Sequence, residues 1–518
     1  MIRRVILSGV EAREELARGA EFLAKAVRST LGPYGQNWFL DKKDSVTNDG
    51  VTVAREIQIS SCINPQHEGW DCRCAEVQNR GAKAIREAAI KTVDKAGDGT
   101  TTATLLAHEI YTAASRQLDK KNVIGAMRSS EVIRKIEEER KEVTEKLVAM
   151  ATPIETKEEL VHSAIVSVAD PDLGKLIGET QWELGKEGIL IAETTGERFS
   201  SVERVHGLRL DNGFSASQII NNQEKQTLEV EQTHTLVTSY SIKDINDWQK
   251  IMKVCEKIAP LGVKHLTIFA RAWTDETIRF CLENINKGTM KIYPMNAPYT
   301  DMNERMKDLV AVFGGSYIDS ETRMLEDLQI SDVGYAEKVI AYRFTATVTG
   351  KPSKEAEERI VKRTEDLEKF MSGSQSEFEK KSLASQIAQL KNGFGIIKVG
   401  SPSDMEMRRL FDKCEDAVNA VRAAFQEGTV KGAGLAFKEI AEGLPDTYIL
   451  KRPIMALNEQ IMSSAPKDFK VEDWVRDPVK VLRVALEQAC VAASTFATAG
   501  GVSTEEFPRQ INEILGKK

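Results

Sequence analysis

At 518 residues and 57.6 kDa, the chain has material for two to four domains, which excludes a small module held together by disulfides. Hydrophobic residues make up 41% and charged residues 29%, and the mean hydropathy is -0.32, so real cores are expected and disorder is not. The 71 Lys and Arg are outnumbered by 78 Asp and Glu, giving a formal charge of -7 with no basic, aromatic-studded stripe, so a nucleic-acid partner is not expected.

Apolar residues Val10, Leu16, Phe22, Leu23 and Val27 recur with helical spacing and predict a helix from Gly9 to Arg28. The stretch Ser29-Thr30-Leu31-Gly32-Pro33-Tyr34-Gly35 then reads as a sharp turn where backbone can approach a ligand. A short strand, Trp38-Phe39-Leu40, precedes a second turn containing Asn48-Asp49-Gly50, which runs into a helix through Arg55. Cys62, His67, Cys72 and Cys74 cluster in the next segment. The tight C-x-C spacing of the last two and the lack of a second paired element argue against zinc, and the segment reads as an exposed inserted loop. Seven scattered cysteines do not form a disulfide framework and fit a reducing cytoplasm. Neither a secretory signal nor an apolar run long enough to span a membrane is evident.

A helix from about Glu76 to Lys95 leads to the most informative segment, Ala96-Gly97-Asp98-Gly99-Thr100-Thr101-Thr102-Ala103-Thr104. Two glycines permit an anion-binding nest, three threonines add hydroxyls, and a helix begins at the same point. Phosphate is the ligand this chemistry suits, and Asp98 within the nest calls for Mg²⁺ as a bridge. An ordinary Asp/Thr helix cap would use the same residues, so both readings stand at this point. There is no G-x-x-x-x-G-K-[ST] motif here.

A charged amphipathic helix spans Ser129 to Met150 and stops at Pro153. From about 206 to 350, strands such as Thr233 to Ser239, His265 to Phe269 and Lys338 to Tyr342 alternate with helices near Asp244 to Ile258 and Thr274 to Ile285, as in an inserted α/β domain. A charged helical pair follows from Ser353 to Leu390, broken near Gly373. Then come a strand at Gly395 to Val399, a helix carrying Asp416 that runs to Glu427, and the small-residue turn Gly432-Ala433-Gly434.

With these segments in place, the chain resembles the group I chaperonins, the GroEL type, nearly end to end. The resemblance is carried by Thr30-Leu31-Gly32-Pro33, Asp49-Gly50-Val51-Thr52-Val53-Ala54-Arg55-Glu56, Gly97 to Thr104, Gly174-Lys175-Leu176-Ile177 and Gly185-Lys186-Glu187-Gly188. Further along it continues in Ile397-Lys398-Val399-Gly400, Glu415-Asp416-Ala417, Arg422-Ala423-Ala424 and Asp477-Pro478-Val479-Lys480-Val481. It implies an α+β multidomain chaperonin fold. An equatorial ATP-binding domain would comprise 1–148 and 427–518, a small hinge-like intermediate domain 149–205 and 395–426, and an inserted apical domain 206–394.

The same resemblance implies an ATP-dependent folding chaperonin in the cytoplasm, a ring of identical subunits that captures non-native chains and couples hydrolysis to their enclosure and release. Carried over residue by residue, Thr30, Leu31, Gly32 and Pro33 contact the nucleotide, Asp98 holds Mg²⁺, and Gly99, Thr100, Thr101 and Thr102 cradle phosphate. Gly432 and Asp477 line the base and ribose, and Asp49 and Asp416 serve hydrolysis, with Asp416 delivered by hinge closure. An apolar apical edge for clients falls on Phe214, Ile219, Trp248, Met252, Ile278 and Leu282.

Several positions depart from the family pattern. Asn48 and Tyr34 stand where lysines are usual, Ala433 interrupts a run of glycines by one methyl, and Gln218, Gln249 and Glu283 replace apolar residues of the edge. The segment Met462 to Arg476 is short and is expected to lack the stretch that covers adenine and packs ring on ring. The short loop Asp41 to Val46 is expected to alter contact between neighbouring subunits, and the C-terminal residues lack a Gly-Gly-Met tail. Together these departures suggest a divergent, virus-encoded member. They leave the lid partner open, and also an alternative: a nucleotide-sensing assembly scaffold for one dedicated partner, with little turnover.

Overall fold

The computed structural model describes residues 3–40, 45–67, 74–118, 127–223, 226–287, 290–351, 353–374, 376–466 and 468–506. Residues 41–44 of the short loop and Cys72 of the cysteine segment therefore lie outside the described residues. The chain divides into two compact units, one of Met1–Lys186, Ala192–Ser201 and Ile397–Lys518, the other of Glu187–Ile191 and Val202–Ile396.

The first unit is helical. Its helices Gly9–Arg28, Cys74–Ala96, Thr100–Leu118, Ser129–Ala149, Lys451–Ser464 and Val479–Ala497 bury one continuous core that includes Leu23, Val27, Ile85, Leu106, Ile110, Ile136, Leu147, Phe437 and Leu486. Leu16, Ala20, Leu23 and Val27 recur every three or four residues, so one stripe of the first helix faces inward. Phe22, expected on that stripe, is instead 43% exposed, because it is rotated about 100° from Leu23 around the helix axis. Ile133 departs from the inward stripe of its own helix in the same way.

Two glycines set the closest helix crossing. An added Cβ at Gly19 would stand 1.7 Å from the Gln78 carbonyl oxygen, and one at Gly81 would stand 2.0 Å from that of Leu16. Helices Gly9–Arg28 and Cys74–Ala96 thus meet backbone to backbone, where only hydrogen fits. Three further helices, Lys157–Val168, Pro171–Leu184 and Asp404–Glu427, pack together in the same unit, with Trp182 stacked on Phe425 at 5.6 Å. Strands Arg3–Ser8 and Gly501–Glu506 pair antiparallel.

The second unit is α/β. Strands Lys291–Asn296, His265–Ala270 and Leu228–Thr238 run parallel, with helices Ile245–Ile258 and Asp275–Lys287 as their crossovers. Antiparallel strands Gly334–Ala341, Ala346–Thr349 and Gly207–Leu210 extend the same sheet. Neighbours along a strand point to opposite faces, and the core divides accordingly: Leu236 and Ile268 join one apolar cluster, Val237 and Phe269 the other. Helices Met302–Phe313 and Lys354–Gly373 are joined by Arg363, which bridges Asp308 and Glu304 at 2.8 Å each. The inserted α/β region and the charged helical pair, Lys354–Gly373 with Glu377–Asn392, thus occur where the sequence patterns predict them.

Replacing Gly81 with Ala should destabilise the chain by about 2–3 kcal/mol, since backbone must move to admit the methyl. A Gly373→Ala control, with open space around it, should change little. Urea unfolding of the two variants checks the difference.

Candidate nucleotide site

Within the first unit, the loops predicted to carry chemistry line one cavity of about 600 Å³, a size suited to a small-molecule ligand. Thr30, Leu31, Gly32 and Pro33 form one wall, Asn48, Asp49 and Gly50 a second, and Asp98 to Thr102 a third. Asp416 and Asp477 complete it.

Local chemistry explains each wall. Thr30 closes the first helix by donating its hydroxyl to the Val27 carbonyl, and Gly32 turns the chain at φ +77°. Asp49 caps helix Gly50–Glu56 by accepting from the N–H groups of Val51 and Thr52 at 3.1 and 2.9 Å and from the Thr52 hydroxyl at 2.6 Å. Gly97 and Gly99 both take positive φ, 76° and 92°, and so fold the backbone around Asp98. Helix Thr100–Leu118 begins immediately, and its first-turn N–H groups lack acceptors within the helix, as at any helix start. A Cβ on Gly50 would stand 2.3 Å from the Thr101 hydroxyl oxygen, so the second and third walls touch.

The electrostatics are dominated by buried carboxylates. Desolvation, joined by the charge of Asp49 and opposed by the Gly99 N–H, pushes the Asp98 carboxyl up to about 6. Asp477 is likewise pushed up to about 6, chiefly by desolvation with a contribution from Asp98, although it accepts hydrogen bonds from the Gly434 and Ala433 N–H groups. Asp416 is raised well above the carboxylate range by desolvation and then by Asp98, Asp49, Asp412 and Glu415. Carboxylates that repel one another in a dehydrated cavity are the donor set a hard divalent cation requires, so the residues fit Mg²⁺ and a nucleotide.

Some expectations need correction. Gly432, whose N–H donates to the Val475 carbonyl at 2.9 Å, is not among the residues lining the cavity, whereas its neighbour Ala433 is. Ala433 does more than add a methyl. It sits at φ +54°, a left-handed conformation that costs an L residue about 1–2 kcal/mol. The 462–476 segment does cover the cavity, despite its shortness: Phe469, Val471, Trp474 and Val475 all line it, next to Ile461. Phe469 meets Tyr34 edge-on at 5.6 Å, and Trp474 packs on His162 at 5.2 Å.

Cations are also present despite Asn48 and Tyr34, since Lys413, Lys470 and Arg476 line the walls. Burial, with Arg409 nearby, lowers the Lys413 pKa. Lys413 was legible in the sequence, lying one helical turn before Asp416 on the same face. The aromatic wall had no comparable signal.

In the second unit, Phe214, Ile219 and Trp248 do not form an exposed edge: they are 5%, 4% and 8% exposed and belong to the apolar clusters beside the sheet. Met252, Ile278 and Leu282 are half-buried on the crossover helices, and Ile245, at the start of the first of them, is exposed. The cysteine segment is not simply exposed either, since Cys74 is buried and Cys62 half-buried. Cys255, Cys281, Cys414 and Cys490 are buried free thiols.

The sequence profile of the TCP-1/cpn60 chaperonin family matches residues 23–448. The chaperonin GroEL of Acholeplasma laidlawii (strain PG-8A) is 31% identical over 545 aligned residues, covering 96% of both chains. The chain belongs to the TCP-1/cpn60 chaperonin family. It is a divergent chaperonin of the GroEL type, an ATPase that serves protein folding and works on polypeptide clients as an oligomeric ring, which sets aside the scaffold alternative. Its fold is shared with the chaperonin gp146 from the bacteriophage EL 2 (Pseudomonas aeruginosa), crystallised in the presence of ATP-BeFx. At 19% identity, the TM-score is 0.70 for one crystal form, covering 97% of this chain and 100% of that one. It is 0.67 for the other, covering 97% and 99%. Among the described residues, no helix is long and apolar enough to cross a membrane.

Two predictions follow from the cavity of this chaperonin. Because the Asp98 pKa is raised on folding, its ionised form costs stability above pH about 6, and that cost fades as pH falls toward the ordinary carboxylate range. Asp98→Asn should therefore raise the thermal midpoint of the nucleotide-free protein near pH 8, lose that gain by about pH 4, and abolish any tightening of ATP binding by Mg²⁺. A loss of stability at every pH would show Asp98 acting only as a structural cap. Ala433→Gly should stabilise the chain by about 0.5–1 kcal/mol in chemical denaturation by relieving the left-handed alanine.

Proposed function

We propose that Mg-ATP occupies this cavity and that its hydrolysis is gated by the helix carrying Asp416. The first-turn N–H groups and hydroxyls of Thr100, Thr101 and Thr102, with the Gly99 backbone, would cradle the phosphates. Thr30 to Pro33 would contact phosphate and sugar. Asp477 would face the ribose, and Phe469 and Trp474 would flank the base. Asp98 would hold Mg²⁺, which supplies charge neutralisation between carboxylates and polyphosphate. Lys413 and Lys470 supply cationic character to walls where Tyr34 and Asn48 supply none.

Phosphoryl transfer depends mainly on positioning and electrostatics, so Asp416 and Asp49 are the residues assigned to orienting the attacking water. One observation carries this reading: Asp416, on the long helix Asp404–Glu427, shares a single cavity with Asp49, Asp98 and the threonine turn. Domain boundaries of 1–148 with 427–518, 149–205 with 395–426, and 206–394 would make that helix part of the hinge-like segment. Its motion would then tie hydrolysis to the sequestration of client by the ring. Met252, Ile278 and Leu282, with Ile245, are the side chains we assign to client capture, and a co-chaperonin lid would dock on the same edge. The cytoplasm of the cell that makes the protein is its assigned compartment.

Asp416→Ala tests the assignment. Phosphate release should fall by about 100-fold or more while ATP affinity changes only a few-fold, and refolding of a denatured client should stop after one round of capture. Unchanged turnover would remove Asp416 from the mechanism.

A further inference from the structure

Away from the nucleotide cavity, the fold brings together Cys62, His67 and Cys74, three of the four clustered residues whose spacing argued against zinc. The sulfur of Cys62 lies 3.7 Å from His67 Nδ1, and the sulfur of Cys74 lies 3.6 Å from the same nitrogen. All three ligand atoms fall within 4.8 Å of one another. With zinc–sulfur bonds of about 2.3 Å and a zinc–nitrogen bond of about 2.1 Å, a tetrahedral ion sets sulfur and nitrogen about 3.6 Å apart. The two observed separations match that edge.

The surroundings suit a metal thiolate. Cys62 Sγ accepts from the Asn64 backbone N–H and from Gln78 Nε2, both at 3.4 Å. Two N–H donors aimed at one sulfur favour the thiolate, the form that binds metal. The amides are themselves held by a buried carboxylate: Glu15, only 2% exposed, accepts from Asn64 Nδ2 at 2.5 Å and from Gln78 Nε2 at 2.6 Å. His67 closes the short helical turn Pro65–His67, while Cys74 opens the helix Cys74–Ala96. Such outer-shell contacts orient ligands and tune metal affinity.

We propose that Cys62, His67 and Cys74 bind a thiophilic divalent cation, Zn²⁺ by its chemistry, as a structural site separate from the nucleotide cavity. Two thiolates and one imidazole select a borderline-soft metal over Mg²⁺ or Ca²⁺. The ion fastens the 57–67 segment to helix Cys74–Ala96 beside the glycine crossing of Gly19 and Gly81. The spacing argument against zinc weighed the adjacent C-x-C pair, whereas the ligands that converge are C-x₄-H-x₆-C, brought together where Glu15 meets Gln78 between the two helices.

The test uses the full-length protein purified with reduced thiols. Metal analysis should find about one zinc per chain. After dialysis against chelator, one equivalent of Co²⁺ should give the thiolate-to-cobalt charge-transfer band and the visible bands of a tetrahedral centre, both erased by added Zn²⁺. The double variant Cys62→Ser with Cys74→Ser should lose the zinc and the cobalt spectrum, and His67→Gln should weaken binding, while Cys490→Ser, a buried thiol elsewhere, retains both. No spectrum from the wild-type chain at one equivalent of Co²⁺ overturns the proposal without reference to any variant. So does a Cys62–Cys74 disulfide mapped in protein freshly isolated under alkylating conditions, or zinc retained at full stoichiometry in the double variant.

Discussion

Burial of several carboxylates in one dehydrated cavity, compounded by their mutual repulsion, is the constraint on which the working parts of this chaperonin depend. Asp98, Asp416 and Asp477 all have raised pKa values, with desolvation as the main cause and neighbouring aspartates adding to it. A protein that needed only stability would place apolar or amide residues there. The helical core around Leu23, Ile110 and Leu486 holds the loops in register regardless, so the strain at the site is carried by packing outside it.

That constraint gives a physical reason for gating. Bringing Asp416 to the cavity is costly while the other carboxylates are uncompensated, and the cost falls once a cation sits among them. Closure of the helix Asp404–Glu427, as proposed, would thereby be coupled to ligand occupancy through differential electrostatics, the free-energy difference that any ligand-driven change of shape requires. Lys413, held on the same helix with a pKa lowered by burial, would move with Asp416 and temper the acidic field. The left-handed Ala433 adds local backbone strain at the opposite wall, next to the N–H groups that Asp477 engages.

Much of this was legible in the sequence where one short segment contains the whole device. The Gly97 to Thr104 turn shows its glycines, its acid and its helix start within eight residues, and the Asp49 turn is similar. The α/β character of the second unit showed in the alternation of β-rich and helical segments. Features set by long-range packing were not legible. Trp248 satisfies an exposed amphipathic pattern and a core pattern equally well, and only the sheet beneath it decides. The cover supplied by Phe469 and Trp474 depends on partners at Tyr34 and His162, hundreds of positions away. The Cys62, His67 and Cys74 cluster likewise depends on the crossing of two helices.

The central claim is that ionised carboxylates in the cavity become compensated when Mg-ATP binds. Calorimetric titration at pH about 6, repeated in buffers of different ionisation enthalpy, counts the protons exchanged on binding. More protons should be released with Mg-ATP than with ATP in the presence of a chelator, because the cation draws the raised carboxyl pKa values down. An identical proton count with and without Mg²⁺ would contradict the account.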